Sequence, residues 1–207
     1  RAVRPPETSE SSKKRTFVIL GSDESATSYV KSKGLKTSNH LVNLNPDENM
    51  VIIWNTDKLT AEEKRSAQSL CDFASSGGLV VVLSTKSWNW RELCDVTVDK
   101  SKLFSRAFAY EGVQHPILAG IHREWLMRWN GLPGTVAVAT IEGPGLENAE
   151  NIIWARDPNS TVVAEVPTAN GKGKILFSQL DIQNHLDSPK PNYDPVAERI
   201  LLNMLGQ

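Results

Sequence analysis

Cysteine and histidine are scarce in this 207-residue chain, and their small numbers exclude several classes of protein. The two cysteines, Cys71 and Cys94, form no CxxC pair, so neither a disulfide framework nor a cysteine-rich metal site is expected. The four histidines, which include His115, His122 and His185, show no HxH or HExxH spacing. We therefore predict no metal centre and no cofactor.

Long hydrophobic runs and an excess of charge of either sign are also missing. The longest apolar runs, such as Leu79–Leu83, are far shorter than the roughly 20 residues of a membrane helix. With 23 basic and 24 acidic residues the formal net charge is -1, which provides no electrostatic footprint for nucleic acid or acidic membranes. We expect a soluble protein with no nucleic-acid and no membrane partner.

The length favours a single domain preceded by a short tail. Residues 1–14 mix proline, serine and charges without apolar periodicity, which predicts a disordered linker or processed terminus. Residues 15–207 are predicted to form one α/β domain. Because the chain begins with Arg1 rather than methionine, we interpret it as a fragment of a longer protein.

The first half of the domain alternates strands and helices. Thr60 and Glu63 form a capping box at the start of a helix, and Gly77 and Gly78 end that helix before a strand that is apolar on both faces. Such strands are typical of a parallel sheet covered by helices on both sides. Strands are predicted at 16–21, 50–54 and 79–83 with a short one near 41–44, and helices at 24–33 and 60–74.

The second half is richer in strands. Turn signals at 157–159 and 169–171 separate them and predict antiparallel hairpins. Lys172 and Lys174 flank Gly173 but lack the Walker spacing, so this segment is interpreted as a hairpin turn rather than a phosphate loop. Asp194 and Pro195 predict the start of a closing helix. The predicted strands are 135–141, 151–155, 161–166 and 174–180, and a helical turn or loop is expected at 115–118.

Three segments resemble one known family. They are the helix, double glycine and strand of 60–83, the His-Pro-Ile-Leu-Ala-Gly-Ile stretch of 115–121 with the tryptophans that follow it, and the strand, loop and helix of 171–205. In this order they resemble the class I glutamine amidotransferase-like domains that are appended to β-galactosidase-like glycoside hydrolases. The resemblance implies a flavodoxin-like three-layer sandwich, with a mostly parallel central sheet flanked by helices and an antiparallel β meander in the C-terminal half.

The same resemblance implies a context. The parent protein would be carbohydrate-active, with a glycoside hydrolase as one candidate, and a neighbouring domain of the longer chain would be the partner. Such a parent would favour secretion or the periplasm, although the residues themselves leave the compartment open.

The resemblance also identifies a site. Active members of the family hold a cysteine at a strand-to-helix elbow and a histidine and a glutamate on a later loop, so that a thiolate attacks the glutamine amide while the histidine relays a proton. The elbow here has no cysteine, and the later loop offers His185 and Asp187. We therefore predict a non-catalytic, degenerate domain with a vestigial pocket. The expected lining residues are Ser84, Thr85, Lys86, Trp88, Gln179, Asp181 and His185.

A hydrolase is the first alternative. Ser84 would be the nucleophile and His185 the base, oriented by Asp187 or Asp181. The elbow lacks the glycines of a GxSxG turn, which favours a capping role for Ser84 instead.

A carbohydrate-binding module is the second alternative, because aromatic faces stack on sugar rings. The chain has six tryptophans. Trp54 and Trp154 lie within strand patterns and are expected in the core. The other four, Trp88, Trp90, Trp125 and Trp129, are expected to be partly exposed, for carbohydrate or for a neighbouring domain.

Overall fold

A computed structural model describes residues 15–21, 24–41, 43–83, 94–99, 103–130, 134–186 and 190–206. The strands are β1 Thr16–Leu20, β2 Lys36–Ser38, β3 Asn49–Ile53, β4 Leu79–Leu83, β5 Thr97–Asp99, β6 Ala107–Ala109, β7 Thr140–Glu142, β8 Glu150–Ala155, β9 Thr161–Pro167 and β10 Lys174–Ser178. The helices are α1 Glu24–Ser32, α2 Ala61–Arg65, α3 Ala67–Ser75 and α4 Pro195–Met204. Short 3-10 turns lie at Thr56–Lys58, Pro116–Leu118, Arg123–Met127, Pro144–Asn148 and Ile182–His185.

Eight of these strands form one sheet in the order β2-β1-β3-β4-β10-β9-β8-β6. The first five are parallel, and β9, β8 and β6 then add in antiparallel fashion. β5 and β7 pair in a separate two-stranded ribbon. The parallel part has the doubly wound order of flavodoxin-like proteins, so the α/β fold predicted from the sequence is confirmed, together with its antiparallel C-terminal half.

The sheet separates two apolar layers. Val81 and Leu83 of β4 belong to the cluster that α1 and α4 cover, whereas Val80 and Val82 belong to the cluster covered by α3 and the β5–β7 ribbon. Strand alternation places successive side chains on opposite faces, which explains why β4 is apolar throughout. No helix in the described part of the chain has the length and apolar character needed to cross a bilayer.

Three secondary-structure predictions are wrong in detail. The short strand expected at 41–44 lies earlier, as β2, and Leu41 and Leu44 pack against the core instead. The helix expected at 60–74 breaks at Ser66, whose Oγ donates to the carbonyl of Glu62 at 3.1 Å and so competes with the helical pattern.

The strand expected at 135–141 is the third difference. Ala137 forms isolated bridges with Phe104 on one side and Leu180 on the other, and only Thr140–Glu142 continues as a strand. That strand pairs with β5 rather than joining the main sheet. β5 and β6 were not predicted because each has only three residues.

The closing helix α4 is fixed at both ends by buried side chains. Asp194 is fully buried, and its Oδ1 accepts from Val196 N at 2.8 Å while Oδ2 accepts from Asn130 N at 2.9 Å. Near the other end, Asn203 Nδ2 donates to the carbonyls of Ile117 and Ala119 at 2.8 and 2.9 Å. The predicted helix start is confirmed, and α4 is tied directly to the turn at 115–121.

The turn between β9 and β10 requires glycine for two different reasons. Gly171 has a φ of 69°, with open space where a Cβ would lie. A Cβ at Gly173 would lie 1.7 Å from the carbonyl oxygen of Ala74, at the end of α3. The predicted hairpin is therefore confirmed, and the close approach of α3 explains the second glycine.

These two glycines give a matched pair of substitutions. Gly173→Ala should lower the free energy of unfolding by about 3 kcal/mol or more, because backbone must move. Gly171→Ala should cost only about 1 kcal/mol, the strain of a left-handed alanine. Urea unfolding of both variants measures the difference, and equal losses would contradict the close approach.

Glu198 of α4 gathers three donors. Its Oε1 accepts from Tyr29 Oη at 2.9 Å and Lys33 Nζ at 2.5 Å, and its Oε2 accepts from Tyr193 Oη at 2.6 Å. Burial alone would raise the pKa of Glu198, but the hydrogen bonds from Lys33, Tyr193 and Tyr29 outweigh it and lower the pKa. The carboxylate thus ties α1 and the 190–194 loop to α4.

This network predicts a pH dependence of stability. A carboxyl whose folded pKa lies below its unfolded value stabilises the protein above the unfolded pKa of about 4.3, and that contribution is lost as the pH falls through the folded pKa. Glu198→Gln should therefore cost roughly 1–3 kcal/mol at pH 7 and progressively less in acid. Thermal unfolding of both proteins from pH 7 to pH 3 tests this, and a gap that stays constant would contradict it.

Candidate functional site

The predicted pocket lies where the parallel strands end. The register pairs Ser178 of β10 with Leu83 of β4, and the residues that follow them in the sequence are Gln179 and Ser84. Leu83 and Ser178 therefore end neighbouring strands at the same edge of the sheet, which we call the carboxyl edge. Five predicted residues lie outside the described part of the chain: Ser84, Thr85, Lys86, Trp88 and Asp187.

The crevice between β1 and β3 is the place where this strand order usually holds a ligand. Here both carboxylate oxygens of Glu63 accept hydrogen bonds, one from Gly21 N at 3.1 Å and one from Thr60 N at 2.6 Å. A Cβ at Gly21 would lie 2.1 Å from the carbonyl oxygen of Asn55, so the two strand ends are in close contact. The amide of Gly21 is therefore bound by a protein carboxylate and is not open to a phosphate.

Gln183 also forms a hydrogen bond at the end of β3. Its Nε2 donates to the carbonyl of Trp54, the residue that follows β3. Because Gln183 belongs to the 3-10 turn after β10, this bond joins two loops of the carboxyl edge.

His185 lies in the same 3-10 turn and is 4% exposed. Its Nδ1 is 2.8 Å from the carbonyl oxygen of Asn192, and its Nε2 is 3.1 Å from that of Thr135. Both carbonyls can only accept, so the two bonds form together only when both ring nitrogens carry a proton. To act as a base on a substrate, His185 would have to turn one nitrogen away from the carbonyl that it faces.

Asp181 supports this arrangement. Its Oδ2 lies 3.8 Å from His185 Nε2, and its Oδ1 accepts from Asn184 Nδ2 at 2.7 Å. Its backbone N–H donates to the carbonyl of Val136 at 2.9 Å. The structure thus brings Asp181 and His185 together, as the sequence predicted for the pocket, and both hold loops in place.

Gln179 differs from Asp181, Gln183 and His185, although the adjacent Ser178 Oγ is also buried without a partner. The residue is completely buried, and neither Oε1 nor Nε2 has a hydrogen-bond partner among the described residues. Its backbone is fixed, because Gln179 N donates to Val162 O at 2.8 Å and its carbonyl accepts from Val138 N at 2.9 Å. Most buried polar groups are paired, so this amide requires an explanation.

Neither cysteine provides a nucleophile at this edge. Cys71 lies on α3, and Cys94 is buried near the β5–β7 ribbon. Burial raises the pKa of Cys94 to about 12, so the thiol stays protonated at neutral pH. The thiolate is the reactive form of cysteine, and Cys94 is therefore unreactive.

The tryptophans only partly follow their predicted exposures. Trp129, expected to be partly exposed, is 6% exposed, because it packs edge-on against His185 with ring centroids 5.2 Å apart. Trp125 is half-buried and lies against His122 at 4.8 Å. Trp88 and Trp90 lie outside the described residues.

The two tryptophans expected in the core also differ from each other. Trp54 is buried, as predicted. Trp154 is only half-buried and stacks on Phe108 of the neighbouring strand, with ring centroids 4.5 Å apart and planes at 24°. This stacked pair lies near the edge of the sheet, where β6 ends the strand order.

A cluster of possible metal ligands lies away from the carboxyl edge. Ligand atoms of His115, Glu150 and Glu165 all lie within 4.8 Å of one another. However, His115 Nδ1 accepts from Ile117 N at 3.3 Å, so the neutral ring carries its proton on Nε2, which lies 3.4 Å from Glu165 Oε2. A metal-bound histidine has the opposite pattern, with its second nitrogen donating.

The cluster is better described as an ion-pair network. The hydrogen bond from His115 lowers the pKa of Glu165 more than burial raises it, and Lys174 lowers it further. Lys174 Nζ bonds to Glu165 Oε1 and already neutralises that carboxylate. Sequence spacing could not have revealed this network, because its members come from three strands and a turn.

A groove of about 400 Å³ adjoins the turn at 115–121. Its lining is largely apolar and includes Val113, Leu118, Ile121 and Leu126 together with Arg123. It belongs to the segment that α4 holds through Asn203, and it is separate from the carboxyl edge.

Comparisons with known proteins support the fold without assigning a function. No protein-family model matches the sequence, and no curated protein matches it. A cytoplasmic protein from Salmonella typhimurium is structurally similar, with a TM-score of 0.56 at 10% identity, over 93% of this chain and 98% of that one. At this identity the likeness shows the fold alone.

Two glycoside hydrolases are weaker matches. The β-galactosidase of Bacillus circulans sp. alkalophilus has a TM-score of 0.45 at 12% identity over 94% of this chain, and the exo-β-1,4-mannosidase of Opitutaceae bacterium strain TAV5 has 0.45 at 10% over 81%. In each case the match spans 31% of the hydrolase. Such scores carry no argument about function.

The contacts of His185 predict a loss of stability on substitution. His185→Leu removes both ring nitrogens and leaves at least one of the carbonyls of Asn192 and Thr135 without its donor, which should cost about 1–3 kcal/mol. His40→Leu, at an exposed histidine, should change stability by less than about 0.5 kcal/mol and serves as the control. Chemical denaturation measures both, and equal effects would show that His185 does not hold these loops.

Proposed function

We propose that this domain is a non-catalytic, degenerate glutamine amidotransferase-like domain that serves as a structural or interaction module of a larger, carbohydrate-active protein. The family resemblance of the three sequence segments motivates the proposal. The observation that carries it is the engagement of both His185 nitrogens by backbone carbonyls.

The chemistry of glutamine hydrolysis needs a thiolate and a histidine that is free to accept its proton. The elbow that follows β4 has serine where the family has cysteine. Cys94 is buried and its raised pKa keeps it protonated. Both nitrogens of His185 face backbone carbonyls of the fold, so neither faces a nucleophile among the described groups.

The other polar groups at the carboxyl edge favour the same interpretation. Glu63 binds Gly21 and Thr60, and Gln183 binds the carbonyl of Trp54. These bonds fix the loops of the edge, and substrate cannot use the same groups without displacing them. A rigid edge of this kind suits a surface that supports a neighbouring domain better than one that turns over a substrate.

The same contacts weaken the hydrolase alternative, because Ser84 would need His185 as its base. Trp129 is buried and is not available to stack on a sugar, which weakens the carbohydrate-binding alternative.

Ammonia release from L-glutamine tests the proposal. The unmodified protein should release no ammonia above the buffer background. Ser84→Cys restores the family's nucleophile but not a free histidine, so it should also remain at background. Ammonia release by the unmodified protein would overturn the proposal. Release by Ser84→Cys alone would show that only the nucleophile is missing and that the rest of the site still works.

A further inference from the structure

The groove beside the turn at 115–121 has a volume of about 400 Å³ and takes no part in the proposed function. Ligand pockets usually enclose about 300–1,000 Å³, so this volume suits a small molecule. The lining residues all belong to the segment 113–126, which the structure describes throughout.

The wall of the groove is apolar and open to solvent. Val113, Leu118 and Ile121 are half-buried, and Pro116 and Ala119 are exposed. Removing such surface from water is favourable by about 25 cal/mol per Å². A ligand with an apolar body would therefore gain free energy by covering this wall.

The turn that forms the wall is fixed by the fold. Asn203 Nδ2 donates to the carbonyls of Ile117 and Ala119 at 2.8 and 2.9 Å, and His115 Nδ1 accepts from Ile117 N at 3.3 Å. A wall that is already ordered loses little conformational entropy when a ligand binds. The groove is thus pre-organised.

Positive charge lies along this apolar wall. Arg123 is exposed and belongs to the lining, and none of the described lining residues is acidic. Arg199 lies next to the lining, because its Nε donates to the carbonyl of Ala119 at 3.4 Å. Within the described part of the chain, neither arginine forms an ion pair.

These two properties define the ligand. A guanidinium group presents planar donors that match the two oxygens of a carboxylate. His115 does not compete for that carboxylate, because its Nε2 faces Glu165 at 3.4 Å. We propose that the groove binds a small monocarboxylate with an apolar body, whose carboxylate pairs with Arg123. The groove is separate from the carboxyl edge, so this inference does not depend on the proposed function.

Titration with three six-carbon ligands tests the proposal. Hexanoate, 1-hexanol and hexylammonium have the same chain and differ in the charge of the head group. Followed by NMR of the backbone amides, hexanoate should shift the resonances of 113–126 saturably, with a Kd of about 1 mM or below. Hexanol should bind about tenfold more weakly, and hexylammonium more weakly still. No saturable shift with hexanoate, or equal affinity for hexanol, would overturn the proposal.

The role of Arg123 is tested by one substitution and its control. Arg123→Gln should weaken hexanoate binding about tenfold and leave hexanol binding unchanged, because only the charge is removed. Arg65→Gln, at an exposed arginine of α2, should change neither affinity. An unchanged affinity of Arg123→Gln for hexanoate would contradict the assignment of the carboxylate to Arg123.

The location is tested by filling the groove. Ala119→Trp should abolish hexanoate binding, whereas Ala61→Trp, at an exposed alanine of α2, should leave it intact. Because Ala119 is exposed and its carbonyl remains in place, the melting temperature should change by less than about 3 °C, which shows that the variant is folded. Undiminished binding by folded Ala119→Trp would overturn the site.

Discussion

The fold depends on the way in which α4 is held at its two ends. Asp194 caps the helix and also binds the backbone of Asn130, while Asn203 binds two carbonyls of the 115–121 turn. The side chains of Asp194 and Asn203 that make these bonds are themselves buried, which strengthens the bonds relative to exposed ones. They explain why two motifs far apart in the sequence occur together, because each motif supplies the partners of the other.

Polar side chains at the carboxyl edge are likewise bound to backbone groups of the fold. Glu63, Gln183 and His185 each bind backbone groups of other loops, so the edge is organised by its own side chains. Within the described part of this edge, the buried side chains of Ser178 and Gln179 have no hydrogen-bond partner. In the function that we propose, the edge provides rigidity rather than chemistry.

Local signals explain most of what the sequence predicted correctly. The Thr60 and Glu63 capping box and the Asp194 cap are bonds between residues two or three positions apart, so their patterns are visible in the chain. β4 was recognisable because both of its faces are buried. The β5–β7 ribbon was not, because its strands are short and its pairing partners lie more than forty residues apart.

The location of the predicted site stays a prediction, and the contacts made by its described residues could not be read from the sequence. The strand end at Gln179 indicated where polar groups would gather. That His185 would meet the carbonyls of Thr135 and Asn192 could not be inferred, since Thr135 lies fifty residues away and its backbone position is a product of the whole fold. The burial of Trp129 has the same origin, because His185 packs against its edge.

The central claim is that the carboxyl edge holds no working nucleophile. Incubation of the unmodified protein with a diazoketone analogue of glutamine, followed by intact-mass spectrometry, tests it most directly, because such a reagent alkylates an activated nucleophile in a glutamine site. The account predicts an unchanged mass. A single stoichiometric adduct mapped to Ser84 or His185 would contradict it.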